Sequence, residues 1–117
     1  MKITHLKSYN KELELEFYDF FLSSKPYDLD HIRSPHLRRQ KIESLFSTYC
    51  KTSQVYTVEE NSKLKLAAFI SDNKSYLEVI FIFGVSKNFG SVEIVKASRN
   101  VLEYAMRSLG KNYVKSE

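Results

Sequence analysis

The sequence predicts an α/β arrangement of the α+β kind, in which helices cover a mainly antiparallel sheet. Three observations carry the prediction. Apolar residues recur every three or four positions between Lys11 and Cys50. From Gln54 to Phe83 the chain turns to β-branched and aromatic runs split by polar turns. Helical spacing then returns and persists up to Gly110. The expected order is β-α-α-β-β-β-α-β.

Met1 to Leu6 alternates weakly and reads as a short strand. Ser8 and Asn10 follow as helix caps, and Leu13, Phe17, Phe20 and Phe21, widened by Leu15 and Leu22, make the stripe of a helix from about Lys11 to Ser23. Pro26 ends it, because a proline pushes the preceding residue out of the helical region. Ser34-Pro35 is a sharper start, a capping hydroxyl just before a proline whose missing N–H costs nothing in the first turn. Leu37, Ile42, Leu45, Phe46 and Tyr49 form the apolar face of that second helix, which ends near Cys50, with Arg38, Arg39 and Lys41 opposite.

Val55 to Val58 and Leu64 to Ile70 read as the strands of a hairpin around the polar segment Glu59 to Lys63. Tyr76 to Phe83 is almost wholly apolar and suits a strand buried on both faces in the middle of a sheet. Ile94, Val95, Ala97, Val101, Leu102, Ala105, Met106 and Leu109 predict a long helix closed by Gly110 in a left-handed cap, and Asn112-Tyr113-Val114 begins one more strand.

Composition narrows the function classes. The chain has 117 residues, the size of one domain, and a formal charge of +4, too mild for a dedicated nucleic-acid binder. One cysteine, Cys50, excludes an internal disulfide framework and a zinc site of several thiolates. With the charged N-terminus, it leads us to expect a cytoplasmic protein without a secretory signal. The longest apolar run, Val79 to Val85, falls far short of the ~20 residues of a membrane helix.

The segment with chemical content is Ile82 to Val92, where a buried strand enters a short loop and a long helix follows at once. Amides in the first turn of a helix lack partners within it, and the helix dipole adds positive potential, so such a junction can seat a phosphate. Gly90 lets the backbone approach an anion, Ser91 can cap or donate a hydroxyl, and Lys87 supplies charge. The competing reading is a plain strand-to-helix turn with Ser91 as its cap.

The order of elements and this loop together resemble the GCN5-related N-acetyltransferase (GNAT) family, whose acyl-CoA loop reads Arg/Gln-x-x-Gly-x-Gly/Ala. Here the hexapeptide is Lys87-Asn88-Phe89-Gly90-Ser91-Val92, and Ala105 to Gly110 followed by Val114 is similar to the family's route into its fifth strand. The resemblance implies acetyl-CoA as cofactor, with Phe83, Val85, Lys87, Asn88, Phe89, Gly90, Ser91 and Val92 as the binding residues. It also implies an amine substrate and Glu78, in the third strand of the run, as a general base that takes the amine's proton. Lys87 in place of Arg or Gln and Val92 in place of Gly or Ala depart from the pattern, and the valine should weaken coenzyme binding. The family's C-terminal α-β-β portion has no counterpart before Glu117, so the resemblance is to a degenerate or C-terminally truncated member.

Two functions therefore compete. One is transfer of an acetyl group from acetyl-CoA to an amine. The other is a catalytically inactive GNAT-like assembly module, of the kind a bacteriophage encodes, acting as a homo-oligomer or with a partner chain that completes the sheet. The basic cluster His31, Arg33, His36, Arg38, Arg39 and Lys41 reads as a solvated helix face, since no aromatic platform interleaves it. No metal-ligand spacing joins the histidines. Glu59 and Glu60 read as solvated turn residues, Tyr104 and Tyr113 as packing, and Cys50 as a structural thiol.

Overall fold

Asn61 and Ser62 both take left-handed backbone angles, φ 54° and 63°. Two such residues in succession make the tight turn whose twist matches a right-twisted hairpin, and asparagine tolerates that region better than most residues. The turn joins β2 (Gln54–Glu60) to β3 (Lys63–Asp72). The computed structural model describes residues 1–24, 29, 31–85, 90–112 and 114–116, without the side chains of 115 and 116. The other elements are β1 (Lys2–Leu6), α1 (Lys11–Ser24), α2 (Pro35–Thr52), β4 (Leu77–Gly84), α3 (Ser91–Leu109) and β5 (Val114–Ser116). The expected order holds throughout, and the chain folds as an α+β unit.

The strands form one sheet in the order β1-β2-β3-β4-β5. The first three pairings are antiparallel and β4 with β5 is parallel. A parallel partner requires a crossover, and α3 supplies it. Alternation along the strands makes two apolar layers. Phe69 and Phe83 face α1 and α2, packing with Leu13, Phe17, Phe21, Ile42 and Phe46. Leu66, Ala68, Ile70 and Leu77 face α3, packing with Ala97, Val101 and Ala105.

The helix ends follow their residues. The Asn10 carboxamide oxygen accepts from the Leu13 amide at 3.0 Å, and the Ser34 hydroxyl accepts from Leu37 N–H ahead of Pro35. Gly110 sits at φ 68° as the left-handed cap of α3.

Four details differ from the sequence reading. Leu37 is 53% exposed, because it lies five positions before Ile42 and so falls well round the helix from the Ile42–Phe46 face. Leu15 and Leu22, seven apart, share the outer side of α1 and are exposed. The strand buried on both faces is β3, at the centre of the sheet. β4 has Ile80 exposed, at a position with no partner in β3. Glu60 is not simply solvated, as it pairs with Lys65 at 3.3 Å.

Two irregularities interrupt the ladders. Val58 pairs with Leu66 and Glu59 with Leu64, so Lys65 is the extra residue of a bulge in β3. Phe69 pairs with Phe81 and Ile70 with Val79, so Ile80 is the extra residue of a bulge in β4. Each bends its strand and redirects the groups beside it.

Candidate functional site

The site is built from the end of β4 and the start of α3. Beyond Gly84, the Val85 amide still donates to the Lys65 carbonyl at 2.9 Å. In an antiparallel pair the main-chain groups of alternate residues point to the same neighbour. Val85, Phe83 and Phe81 therefore direct their N–H and C=O groups to β3, while Ile82 and Gly84 direct theirs to the opposite edge. On that edge β5 accompanies β4 no further than Val79, one residue before the bulge at Ile80. The last described residue of β5, Ser116, stands opposite Val79, and among the described residues nothing pairs with the outer edge of β4 beyond it.

Two of the expected binding residues are engaged within the protein. The Phe83 side chain is buried in the α1/α2 layer and its main-chain groups face β3, while the Val85 amide is already bonded. The main-chain groups that face outward are those of Ile82 and Gly84, which lie in the segment singled out from the sequence but outside the binding residues that the resemblance implies. The signal was the alternation itself, but it is read only once the register with β3 is known.

Gly84 has a second role. A β-carbon added to it would meet Ile94 Cγ2 at 2.6 Å, so the strand end lies directly against the first turns of α3. Gly90 occupies the N-cap of α3 with φ −73° and ψ 162° and makes no side-chain cap. Ser91 stands at the first helical position and is not the cap that the sequence suggested. A β-carbon on Gly90 would meet nothing within 4 Å among the described residues, so neither backbone strain nor packing against them demands a glycine there. The first bond of the helix runs from Ile94 N–H to the Gly90 carbonyl, and the amides of Ser91, Val92 and Glu93 have no partner within it. Val92 is 68% exposed. Lys87, Asn88 and Phe89 lie outside the described residues.

Beside the strand end, a cleft of about 120 Å³ is lined by Glu16, Asp19 and Phe20 of α1 and by Phe83, Gly84 and Val85. Glu78 is half-buried and pairs with Ser71, which places it on the α1/α2 side of the sheet, two residues before the bulge. A cavity of about 590 Å³ lies at the far, β1 edge among Leu6, Leu13, Phe46, Cys50 and Val55. Although larger, it holds none of the β4–α3 residues.

The remaining sequence candidates fall elsewhere. Tyr104 packs edge-on against Tyr56, Arg39 pairs with Glu43 and lies over the Tyr18 ring, and His36 contacts Gln40. Tyr113 lies outside the described residues. Among the described residues no group of three His, Cys, Asp or Glu is placed to hold a metal ion, and no helix is long and apolar enough to cross a membrane. Cys50 is exposed on the last turns of α2, yet partial burial, aided by the Glu14 carboxylate, raises its thiol pKa. A raised thiol keeps less thiolate, the reactive form. At pH 8 the folded chain should therefore react with an aromatic disulfide reagent several-fold more slowly than the urea-unfolded chain. Equal rates would contradict the shift.

No family model and no curated protein matches the sequence. Solved structures do match the fold. Aminoglycoside 6'-N-acetyltransferase from Enterococcus faecium superposes with a TM-score of 0.62 at 10% identity, over 94% of this chain and 56% of that one. The ribosomal-protein-alanine N-acetyltransferase of Brucella melitensis biovar Abortus gives 0.58 at 15% identity, over 100% and 80% of the two chains. A predicted acetyltransferase from Clostridium acetobutylicum, solved with acetyl-CoA, gives 0.56 at 10% identity, over 99% and 80%. This chain thus spans little more than half the length of the aminoglycoside enzyme. The likeness is one of fold, and the fold is GNAT-like.

Proposed function

We propose, for a chain with this acetyltransferase-type fold, that it binds acetyl-CoA at the β4–α3 junction and transfers the acetyl group to an amine. The observation that carries the reading is the register of β4 with β3, which turns the Ile82 and Gly84 main-chain groups to the outer edge beyond the Ile80 bulge, beside the start of a long helix. Those groups suit the amides of a pantetheine arm. The first-turn amides of α3, with Lys87 adding charge and Gly90 adding no side chain, suit its diphosphate.

Bound there, acetyl-CoA supplies an activated acyl group as a thioester. A main-chain N–H at the bulge would stabilise the carbonyl oxygen as negative charge develops on it. Glu78 would accept the proton that the attacking amine loses, directly or through water. A new C–N bond would form as the C–S bond breaks, and the coenzyme would leave as its thiolate, the amine's proton staying with Glu78 or its water. Glu16 and Asp19 border the cleft by which an amine would approach. A cytoplasmic setting, where acetyl-CoA is made and used, is part of this reading.

Calorimetric titration with acetyl-CoA tests it. Saturable binding is expected, with a dissociation constant on the order of micromolar to millimolar, the range in which enzymes meet their substrates. No heat at millimolar coenzyme would reject it. The second reading, an inactive assembly module, is favoured by one observation. Val92 and Val95 are 68% and 61% exposed on the first turns of α3. Light scattering separates the two: a stable oligomer that takes up no coenzyme supports the module, and a monomer that binds it supports the enzyme.

A further inference from the structure

Lysine is seldom buried, because its ammonium loses water unless carboxylates replace it. Lys65 is 5% exposed. The bulge in β3 sets its side chain against α3, where Nζ lies 3.4 Å from Glu93 Oε2 and 3.3 Å from Glu60 Oε2. Its carbonyl meanwhile accepts the Val85 amide at 2.9 Å. One residue thus grips both flanks of the β4–α3 junction, Val85 through the main chain and Glu93 through the side chain. Glu93 is also the only acidic residue in the first turn of α3. An unopposed carboxylate there would take the place of, and repel, an incoming anion.

We propose that Lys65 is a positioning residue of the coenzyme site. It fixes the start of α3 against the end of β4 and neutralises Glu93, so that the first-turn amides are left to receive a diphosphate. This inference rests on the acetyltransferase reading. The ion pair with Glu60 ties the same ammonium to the hairpin end, so the junction is braced from the far side of β3 as well.

The test compares wild type, Lys65→Met, Lys65→Arg, Glu93→Gln and the Lys65→Met/Glu93→Gln double variant of the intact chain. Coenzyme A binding is read by calorimetry, and backbone amide exchange is read without coenzyme. Lys65→Met is expected to weaken coenzyme A about tenfold, with Lys65→Arg within about threefold of wild type. The double variant should regain most of the lost affinity, because an uncharged glutamine no longer opposes the diphosphate. A lysine that merely stabilised the fold would not be rescued by removing a carboxylate. In Lys65→Met, exchange should quicken about tenfold at Val85 and Ile94, with α1 and α2 unchanged.

Unchanged affinity or exchange in Lys65→Met, or no recovery in the double variant, overturns the proposal. If Lys65→Met does not fold, Glu93→Gln decides: binding at least as tight as wild type is expected, and weaker binding overturns the assignment. Wild-type protein that takes up no coenzyme A overturns the acetyltransferase reading instead, while the exchange rates still decide whether Lys65 holds the junction.

Discussion

Phe17→Ala should lower the stability of the chain by about 3–5 kcal/mol, the usual cost of emptying a fully buried aromatic site. Phe17 has no exposed surface. Its ring meets Phe21, Phe46, Tyr49, Phe69, Phe81 and Phe83 at centroid distances of 4.6 to 6.0 Å. It therefore joins α1, α2, β3 and β4 at one point, and no single neighbour can move into the space it leaves. A domain of this size has roughly 5–15 kcal/mol in all, so the variant should lose a large part of its margin and melt on the order of 15 °C lower. The control is Leu22→Ala on the same helix, where the side chain is half exposed and a change within about 0.5 kcal/mol is expected. Urea unfolding of the pair decides it. Similar midpoints for both variants would mean that the aromatic layer is not the main support of the α1/α2 face.

Gly84→Val is the second large effect, and it links stability to function. The backbone of Gly84 has no positive φ, so the glycine is required by space and not by conformation. Any β-carbon there would fall 2.6 Å from Ile94 Cγ2 and 2.8 Å from its Cδ1. The first of these is a branch close to the helix backbone, which cannot swing away as a chain end can. Overpacking of this kind costs about 2–3 kcal/mol, and the strain should be relieved by lifting the first turns of α3 off the sheet. Acetyl-CoA binding should fall at least about tenfold with it, since a small displacement of aligned groups is enough. Ile94→Ala in the same chain should restore much of both losses, with a coupling of about 1–3 kcal/mol between the two sites. Wild-type melting and binding in Gly84→Val would show that the strand end does not abut the helix start.

Legibility followed the range of the physics behind each feature. The caps of α2 and α3 depend on a few neighbouring residues, Ser34-Pro35 and Gly110, and both stand where the sequence predicts. The order of elements depends on apolar periodicity, also local, and it holds. Leu15, Leu22 and Leu37 misled because apolar identity alone does not fix a helix face; the partner layer chooses it, and Ile42 and Phe46 set the face of α2. Lys65 gave no sign of its role. In Lys-Leu-Lys-Leu a lysine reads as the solvent side of an alternating strand, but the bulge opposite Val58 and Glu59 turns it under α3. The Ile80 bulge was equally silent, because it is a mismatch between two strands and no single residue type marks it.

The residues by themselves determined the helices, the strands, their order and the strand–loop–helix junction that draws attention to Gly90 and Ser91. Only the tertiary structure decided which main-chain groups of β4 face outward, that β5 pairs with it in parallel, and that a buried ammonium clasps the start of α3. Hydrogen-bond direction along a strand is set by register with its neighbours, and register is a property of pairs of segments far apart in the chain.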